Sequence, residues 1–318
     1  MMGLFGTGTG FGIEVGQRVI RAARIKGGSG GVRRIDMVGS AEMPEGLMLD
    51  SFTEPNITDL PAFVETLKRL LASMRHRGGG IGVALPDFVS RVSVLDFETV
   101  QAKQEETERM IRWRLKKLLP FDVDLATLRH QYLGRFRTGD KDQHRFLVSI
   151  IKADILRQYE AAFKEAGVRT ARVGMSSFAL WNLYHDHIAR EVGGLPNFAL
   201  MGISGTKMTV IVFDQGAPHF LRLKDLGRLD ADGPDGGPGT RSIVKELSAS
   251  LTFYKENFGR APVTRVFVTG DFAGLGAAAD EAGTAVQAEV SLLDIEKTLQ
   301  GGAGLSFYGA ACGAALEP

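Results

Sequence analysis

The sequence predicts an α/β protein of more than one domain, and three observations carry that reading. Stretches of alternating apolar and polar residues take turns with stretches of helical periodicity along the chain. The chain opens in the same way twice, near residue 10 and near residue 197, with three strand-like runs followed by helix and strand. Between these halves, residues 88–170 read as a strand–helix–strand–strand–helix module. At 318 residues the chain is long enough for two domains and a sizeable core.

The first stretch, GTGTGFGIEVGQRVIRAARIKGG, is dense in glycine, but no strand precedes it, as a dinucleotide loop would require. Ile13, Val15, Val19, Ala23 and Ile25 interleave with Glu14, Arg18, Arg21 and Arg24, which predicts two strands around a turn at Gly16–Gln17. RRIDMVGSAEM is a third strand. A helix follows, with Asn56 or Thr58 as its cap and Phe63, Leu67, Leu70, Leu71 and Met74 on one face. GIGVALPD is a short strand stopped by Pro86.

In the module, RVSVLDFE alternates as a strand. EETERMIRWRLKKLLPF places Met110, Ile111, Trp113, Leu115 and Leu118 among arginines and lysines, an amphipathic helix ending before Pro120. Trp113 and Phe121 are expected in the module's core. LRHQYLGRFR and HRFLVSIIKA flank the polar TGDKDQ as a hairpin, and a helix capped by Asp154 and Gly167 leads to a further strand at VRTARVGMSS. After the helix SSFALWNLYHDHIAREV the second half repeats strand, turn, strand, turn, strand. A long helix begins at Thr240, VTRVFVTGD and VQAEVSLLDI are strands, and an Ala/Gly-rich helix closes the chain. Its 40 glycines cluster in turn-like segments, among them GPDGGPG at 233–239, which is expected to be mobile without a ligand. No repeat of 20–50 residues is evident.

Composition excludes several classes. The net charge of +1 argues against a general nucleic-acid surface. The single cysteine, Cys312, permits no intrachain disulfide, and no run approaches a membrane span or a signal peptide, so the expected location is cytoplasmic.

These pieces resemble the actin-like ATPase superfamily and, more closely, the PilM family of FtsA-like proteins of type IV pilus assembly. The matching stretches are 12–25, ALPDFVSRVSVLDF, IRWRLKKLLPFDVDLATLRHQYLG, AAFKEAGVRTARVGMSSFAL, GISGTKMTVIVFDQGAPHFLRLKDLG and RVFVTGDFAGL. The resemblance implies a two-lobed actin-like (ribonuclease H-like) fold with an FtsA-type inserted subdomain. Residues 1–87 and 171–195 would form the first subdomain, 88–170 the insertion, and 196–318 the second lobe, with 227–290 facing the nucleotide. It also implies a site for ATP with Mg²⁺. Glu14-Val15-Gly16 stands for the first phosphate motif, with Glu14 as the metal carboxylate, and Gln17 and Arg18 where hydroxyl residues belong. Gly202-Ile203-Ser204-Gly205-Thr206-Lys207 stands for the second motif, with Gly202 replacing an aspartate. Thr269-Gly270-Asp271 stands for the adenosine motif, with Asp271 replacing a glycine. The implied nucleotide contacts are therefore Glu14, Gly16, Gln17, Arg18, Ser204, Gly205, Thr206, Lys207, Gly270 and Asp271, and the missing carboxylate implies absent or very slow hydrolysis. The implied partner is the N-terminal cytoplasmic peptide of a PilN-like membrane protein, which would hold the chain at the inner face of the cytoplasmic membrane. Its groove would lie between the first subdomain and the insertion, with Val92, Val94 and Leu95 as candidates.

Other motifs weaken on inspection. His185 and His187 are two apart on a helix and point away from each other. GISGT is not a nucleophile elbow. Cys312 reads as a small packed side chain, and Arg109, Arg112, Arg114, Lys116 and Lys117 as a solvated helix face. The competing functions are a scaffold with a degenerate nucleotide site, an active ATPase or switch of the same superfamily, and the cytoplasmic domain of a type II secretion platform protein. That last protein would continue into a membrane span beyond Pro318.

Overall fold

The computed structural model describes residues 9–27, 32–100, 103–138, 141–194, 197–227, 239–258, 261–272 and 274–316. The segment 233–238, expected to be mobile, lies outside them. In the first half, β1 (Thr9–Val15), β2 (Val19–Gly27) and β3 (Arg33–Glu42) form an antiparallel meander, followed by α1 (Leu60–Ser73) and β4 (Gly80–Leu85). The chain continues through β5 (Ser90–Phe97), α2 (Gln104–Leu115), β6 (Ala126–Thr138), β7 (Lys141–Lys152), α3 (Ala153–Glu165), β8 (Arg169–Met175) and α4 (Ser176–Val192). The second half holds β9 (Asn197–Ser204), β10 (Lys207–Asp214), β11 (Ala217–Asp225), α5 (Thr240–Phe258), β12 (Arg265–Gly270), α6 (Leu275–Val286), β13 (Glu289–Leu292) and α7 (Gly309–Leu316).

Two five-stranded sheets share one strand order: β3-β2-β1-β4-β8 in the first lobe and β11-β10-β9-β12-β13 in the second. In each, a meander of three antiparallel strands is extended by two parallel ones. Within the described residues the inserted sheet is separate, with order β5-β7-β6. Leu95, Leu128, Phe146, Val148 and Ile150 pack on its α2 side against Ile111 and Leu115.

The two lobes meet over α4 and α7. Phe198, Leu200, Ile211, Phe213 and Phe267 of the second sheet share a core with Ala23, Ile25 and Ala84 of the first through these helices. The small residues of α7 (GAACGAAL) let it lie almost on the backbone of the first sheet. A Cβ on Gly12 would stand 2.1 Å from the Ala311 carbonyl oxygen, and one on Gly313 only 1.8 Å from that of Ala179. Cys312 is fully buried there, and its thiol pKa is pushed up to about 12, first by desolvation and then by nearby Glu14.

Several local expectations are corrected. Asp59 caps α1, its side chain accepting from the Ala62 N–H at 3.0 Å, while Asn56 is buried and donates to the carbonyls of Leu49 and Ser51. The Thr58 hydroxyl instead donates to the carbonyls of Gly46 and Leu47. Helix α2 stops at Leu115, and Trp113 is 70 % exposed. Thr107, Ile111 and Leu115, four apart, form the buried stripe, so Trp113 points to the opposite side. Phe121 does pack at the module's core. Lys152 is the residue preceding α3, and Asp154 lies in its first turn. Ile155, Tyr159, Ala162 and Phe163 of α3 pack with α1 in the first lobe's core, although the sequence reading assigned them to the insertion. Helix α6 has no clear sequence signal, because its alanines and glycines give little apolar contrast, and the strand expected at 286–295 shrinks to β13.

Candidate functional site

The hairpin turns at 16–18 and 205–206 face each other across a cleft between the lobes. The cleft has an empty volume of about 580 Å³, counting its open mouth. It lies at the carboxyl ends of β4, β9 and β12, where open α/β sheets gather ligands. Of the expected nucleotide contacts, Glu14, Gly16, Gln17, Ser204, Lys207, Gly270 and Asp271 line it. Gly205 and Thr206 form the second turn. Arg18 does not join them. Its side chain points to solvent, 82 % exposed, and pairs with Glu45 at 3.5 Å.

Two residues outside the implied nucleotide contacts organise the floor. Arg21 on β2 places one guanidinium nitrogen 2.9 Å from Asp271 Oδ2 and another 3.6 Å from Glu14 Oε2. Asp87, just past β4, is enclosed, and accepts from the hydroxyls of Ser177 and Thr209 at 2.8 Å each. Their signals were present: an acid ending an apolar strand (ALPD), and an arginine opposite Glu14 in the hairpin register. Glu14 is 4 % exposed. Desolvation pushes its pKa up to about 7, against the lowering influence of Arg21, with Asp271 and Asp87 adding to the rise. Burial likewise raises Asp87, opposed by the bonds from Thr209 and Ser177.

The second turn is heavily bonded. The Thr206 N–H donates to Gln17 Oε1 at 2.8 Å, and the Gly205 N–H donates to Asp271 Oδ1 at 2.9 Å. Lys207 sits between Asp50 at 2.9 Å and Asp225 at 2.7 Å. These bonds raise its pKa, although burial, the largest single influence, works to lower it. Among the described residues no group of three or more His, Cys, Asp or Glu side chains is placed to hold a metal ion, and Glu14, the expected metal carboxylate, faces Arg21. Among the described residues, five carboxylates (Glu14, Asp50, Asp87, Asp225, Asp271) surround two cations that are already paired, Arg21 and Lys207. In this arrangement the residues do not fit a nucleotide with Mg²⁺: the donors its phosphates need are bonded to side chains of the chain itself.

A second groove runs between the inserted module and the second lobe. Val94, Leu95, Asp96, Arg114 and Gln143 line one side, and His219, Asn257 and Phe258 the other, around an empty volume of about 830 Å³ open to solvent. Val94 is half-buried, whereas Leu95 also packs in the module's core. Val92 is half-buried too but does not line the groove. The resemblance implied a groove against the first subdomain; the one that holds Val94 and Leu95 faces the second lobe.

Two lobes of one ribonuclease H-like topology around such a cleft define the actin-like ATPase class of fold. The family model described as "Type IV pilus assembly protein PilM" matches residues 12–230, and the chain belongs to that family. Among solved structures, the "PilM-PilN type IV pilus biogenesis complex" is similar over 98 % of this chain and 100 % of that one, with 16 % identity and a TM-score of 0.80. The cytoplasmic domain of EpsL, an inner-membrane component of the type II secretion system of Vibrio cholerae, is similar over 98 % and 96 % of the two chains, at 12 % identity and a TM-score of 0.54. A Bacteroides thetaiotaomicron protein of actin-like ATPase fold and unknown function aligns over 92 % and 93 %, at 9 % identity and a TM-score of 0.50. No curated protein sequence matches the chain. Among the described residues no helix is long and apolar enough to cross a membrane.

Proposed function

We propose that this chain is a scaffold in type IV pilus assembly. It binds the N-terminal cytoplasmic peptide of a PilN-like membrane protein, is held by that peptide at the inner face of the cytoplasmic membrane, and does not hydrolyse nucleotide. Family membership supports the pilus role, and the solved PilM–PilN complex supports the kind of partner. The groove between module and second lobe carries the rest. Strands β5 and β11 both lie at the edges of their sheets, so each has a backbone edge that an extended peptide can pair with. Val94, Leu95 and Phe258 offer apolar contact, while Asp96, Arg114, Gln143 and Asn257 offer a polar rim.

The role of Gly202 supports the absence of hydrolysis. At this position on β9 no carboxylate can orient water or hold a metal. Glu14, the carboxylate of the first hairpin, is paired with Arg21.

Calorimetry with a PilN-like N-terminal peptide of about ten residues should give micromolar binding, since ordering the peptide offsets part of its contact energy. Val94→Asp should weaken it at least about tenfold, by placing an unpaired charge on the groove's apolar floor. Circular dichroism would verify folding, and Phe258→Ala on the other wall provides a second variant. Unchanged affinity in both folded variants would overturn the groove assignment.

A further inference from the structure

Among the described residues, four polar links cross the cleft from lobe to lobe. Gln17 bonds Thr206, Arg21 bonds Asp271, Lys207 pairs with Asp50, and the Thr209 hydroxyl donates to Asp87. Two of these converge on the turn of the second hairpin. Gly205, at φ +57°, and Thr206 carry consecutive backbone N–H groups, the arrangement by which turns bind oxyanions. Both N–H groups end on oxygen atoms of side chains. Gln17 reaches over from the first lobe, its Oε1 accepting from the Thr206 N–H and, at 3.3 Å, from the Thr206 hydroxyl. Asp271 comes from the end of β12, and its second oxygen is neutralised by Arg21. The fit is close: a Cβ on Gly205 would lie 2.2 Å from Gln17 Oε1. Gln17 is itself anchored, its Nε2 donating to Asp50 at 2.5 Å.

We infer that Gln17 and Asp271 are a built-in substitute for an anionic ligand. They fill an oxyanion site at Gly205–Thr206 from within the chain, join the lobes through it, and exclude inorganic phosphate and nucleoside polyphosphates from the cleft. This inference is independent of the peptide groove. The physical reason is competition for donors. Each backbone N–H has one hydrogen to give, and an incoming phosphate must displace a carboxamide or a carboxylate already in place. It must also enter a cleft whose carboxylates outnumber its cations, with both cations engaged. The carboxylate of Asp271 delivers the negative charge that the turn favours, and the uncharged carboxamide of Gln17 adds an acceptor without further repulsion.

The test is removal of both side chains in the full chain. Calorimetry would compare wild type, Gln17→Ser, Asp271→Gly and the double variant, with ATP–Mg²⁺ and with inorganic phosphate as separate probes. Wild type should bind neither at millimolar concentration. The double variant should bind ATP–Mg²⁺ at least about tenfold more tightly than wild type, the equivalent of one recovered hydrogen bond to a charged group. Each single variant should fall between. Micromolar binding by wild type, or no gain in a folded double variant, would overturn the inference. Hydrogen exchange on wild type covers the case in which the double variant does not fold. Slow exchange at the Gly205 and Thr206 amides, unaltered by millimolar ATP–Mg²⁺, is expected. Fast exchange that slows on adding ATP–Mg²⁺ would show the site open and refute it.

Discussion

In the first lobe the β1–β2 hairpin presents acceptors to the cleft, the Glu14 carboxylate and the Gln17 carboxamide; in the second lobe the β9–β10 hairpin presents donors, the N–H groups of Gly205 and Thr206 and the Lys207 ammonium. The strand order is the same on both sides. Because one tip offers an acceptor and the other donors, the tips bond to each other directly through Gln17 and Thr206, across the cleft between the lobes. The sheets behind the tips differ as well. The first receives α7 against glycines 12 and 82, whereas the second is covered by α5 and α6 through ordinary apolar side chains such as Ile243, Val244, Leu247 and Ala278. Duplicated topology therefore does not imply duplicated tolerance.

The largest expected effect tests that asymmetry. Gly12→Ala should destabilise the protein by at least about 3 kcal/mol in denaturant unfolding, because its methyl meets a backbone carbonyl that can retreat only if α7 moves. Gly202→Ala, on the leading strand of the other lobe, meets only the flexible Leu180 Cδ1 at 3.1 Å and should cost no more than about 1 kcal/mol. Equal costs would mean that the two sheets are packed alike after all.

Next in size is a pH effect centred on Glu14 of the acceptor-bearing hairpin. The Glu14 pKa rises from 4.5 when unfolded to about 7 when folded, so between these values the native state holds a proton that the unfolded chain has released. Stability from this group is full below about pH 4.5, declines as pH rises, and levels off above about 7, with a total on the order of 3 kcal/mol. Glu14→Gln should remove the Glu14 share of that decline, leaving a slope in the same direction from Asp87, whose pKa is also raised by burial. Arg21, Asp271 and Asp87 face Glu14, so the remaining slope should change again in an Asp87→Asn background. A wild-type stability that climbs between pH 5 and 7 and loses that climb in Glu14→Gln would invert the assignment.

The smallest effects lie on outward side chains. Arg18→Ala and Trp113→Ala should each shift stability by less than about 0.5 kcal/mol, since both side chains are largely in solvent. Arg18→Ala should also leave the exchange of the Gly205 and Thr206 amides unchanged. A larger loss for Arg18 than for Trp113 would place Arg18 in the cleft, contrary to its pairing with Glu45.

Much of the site was legible in the sequence, because the phosphate-type turns have local signatures in glycine and in strand alternation. Glu14, Gly16, Gly205 and Asp271 could be named from their motifs. Arg18 could not be excluded, since a turn's sequence does not say which side chains face the other lobe. Arg21 and Asp87 carry only weak local signals, an arginine opposite Glu14 and an acid ending a strand, because the partners that give them their importance lie 250 and 122 residues away. Trp113 illustrates the same limit within one helix. Its apolar character suggested burial, but three residues spaced by four had already claimed the buried stripe.

What the sequence by itself determined is the run of elements apart from α6, the two hairpin-led halves, the inserted strands and the glycine-marked turns, all of which rest on periodicity and backbone freedom over a few residues. The tertiary structure decided everything that depends on which surfaces meet. It assigned α3 to the first lobe's core, seated α7 on Gly12 and Gly82, and brought β5 alongside β11 to make a groove. It also turned Gln17 into the acceptor for Thr206, from 189 residues away. A donor and an acceptor so distant in sequence carry no mark of each other until the fold closes, because a hydrogen bond is set by a few ångströms of geometry that local sequence does not encode.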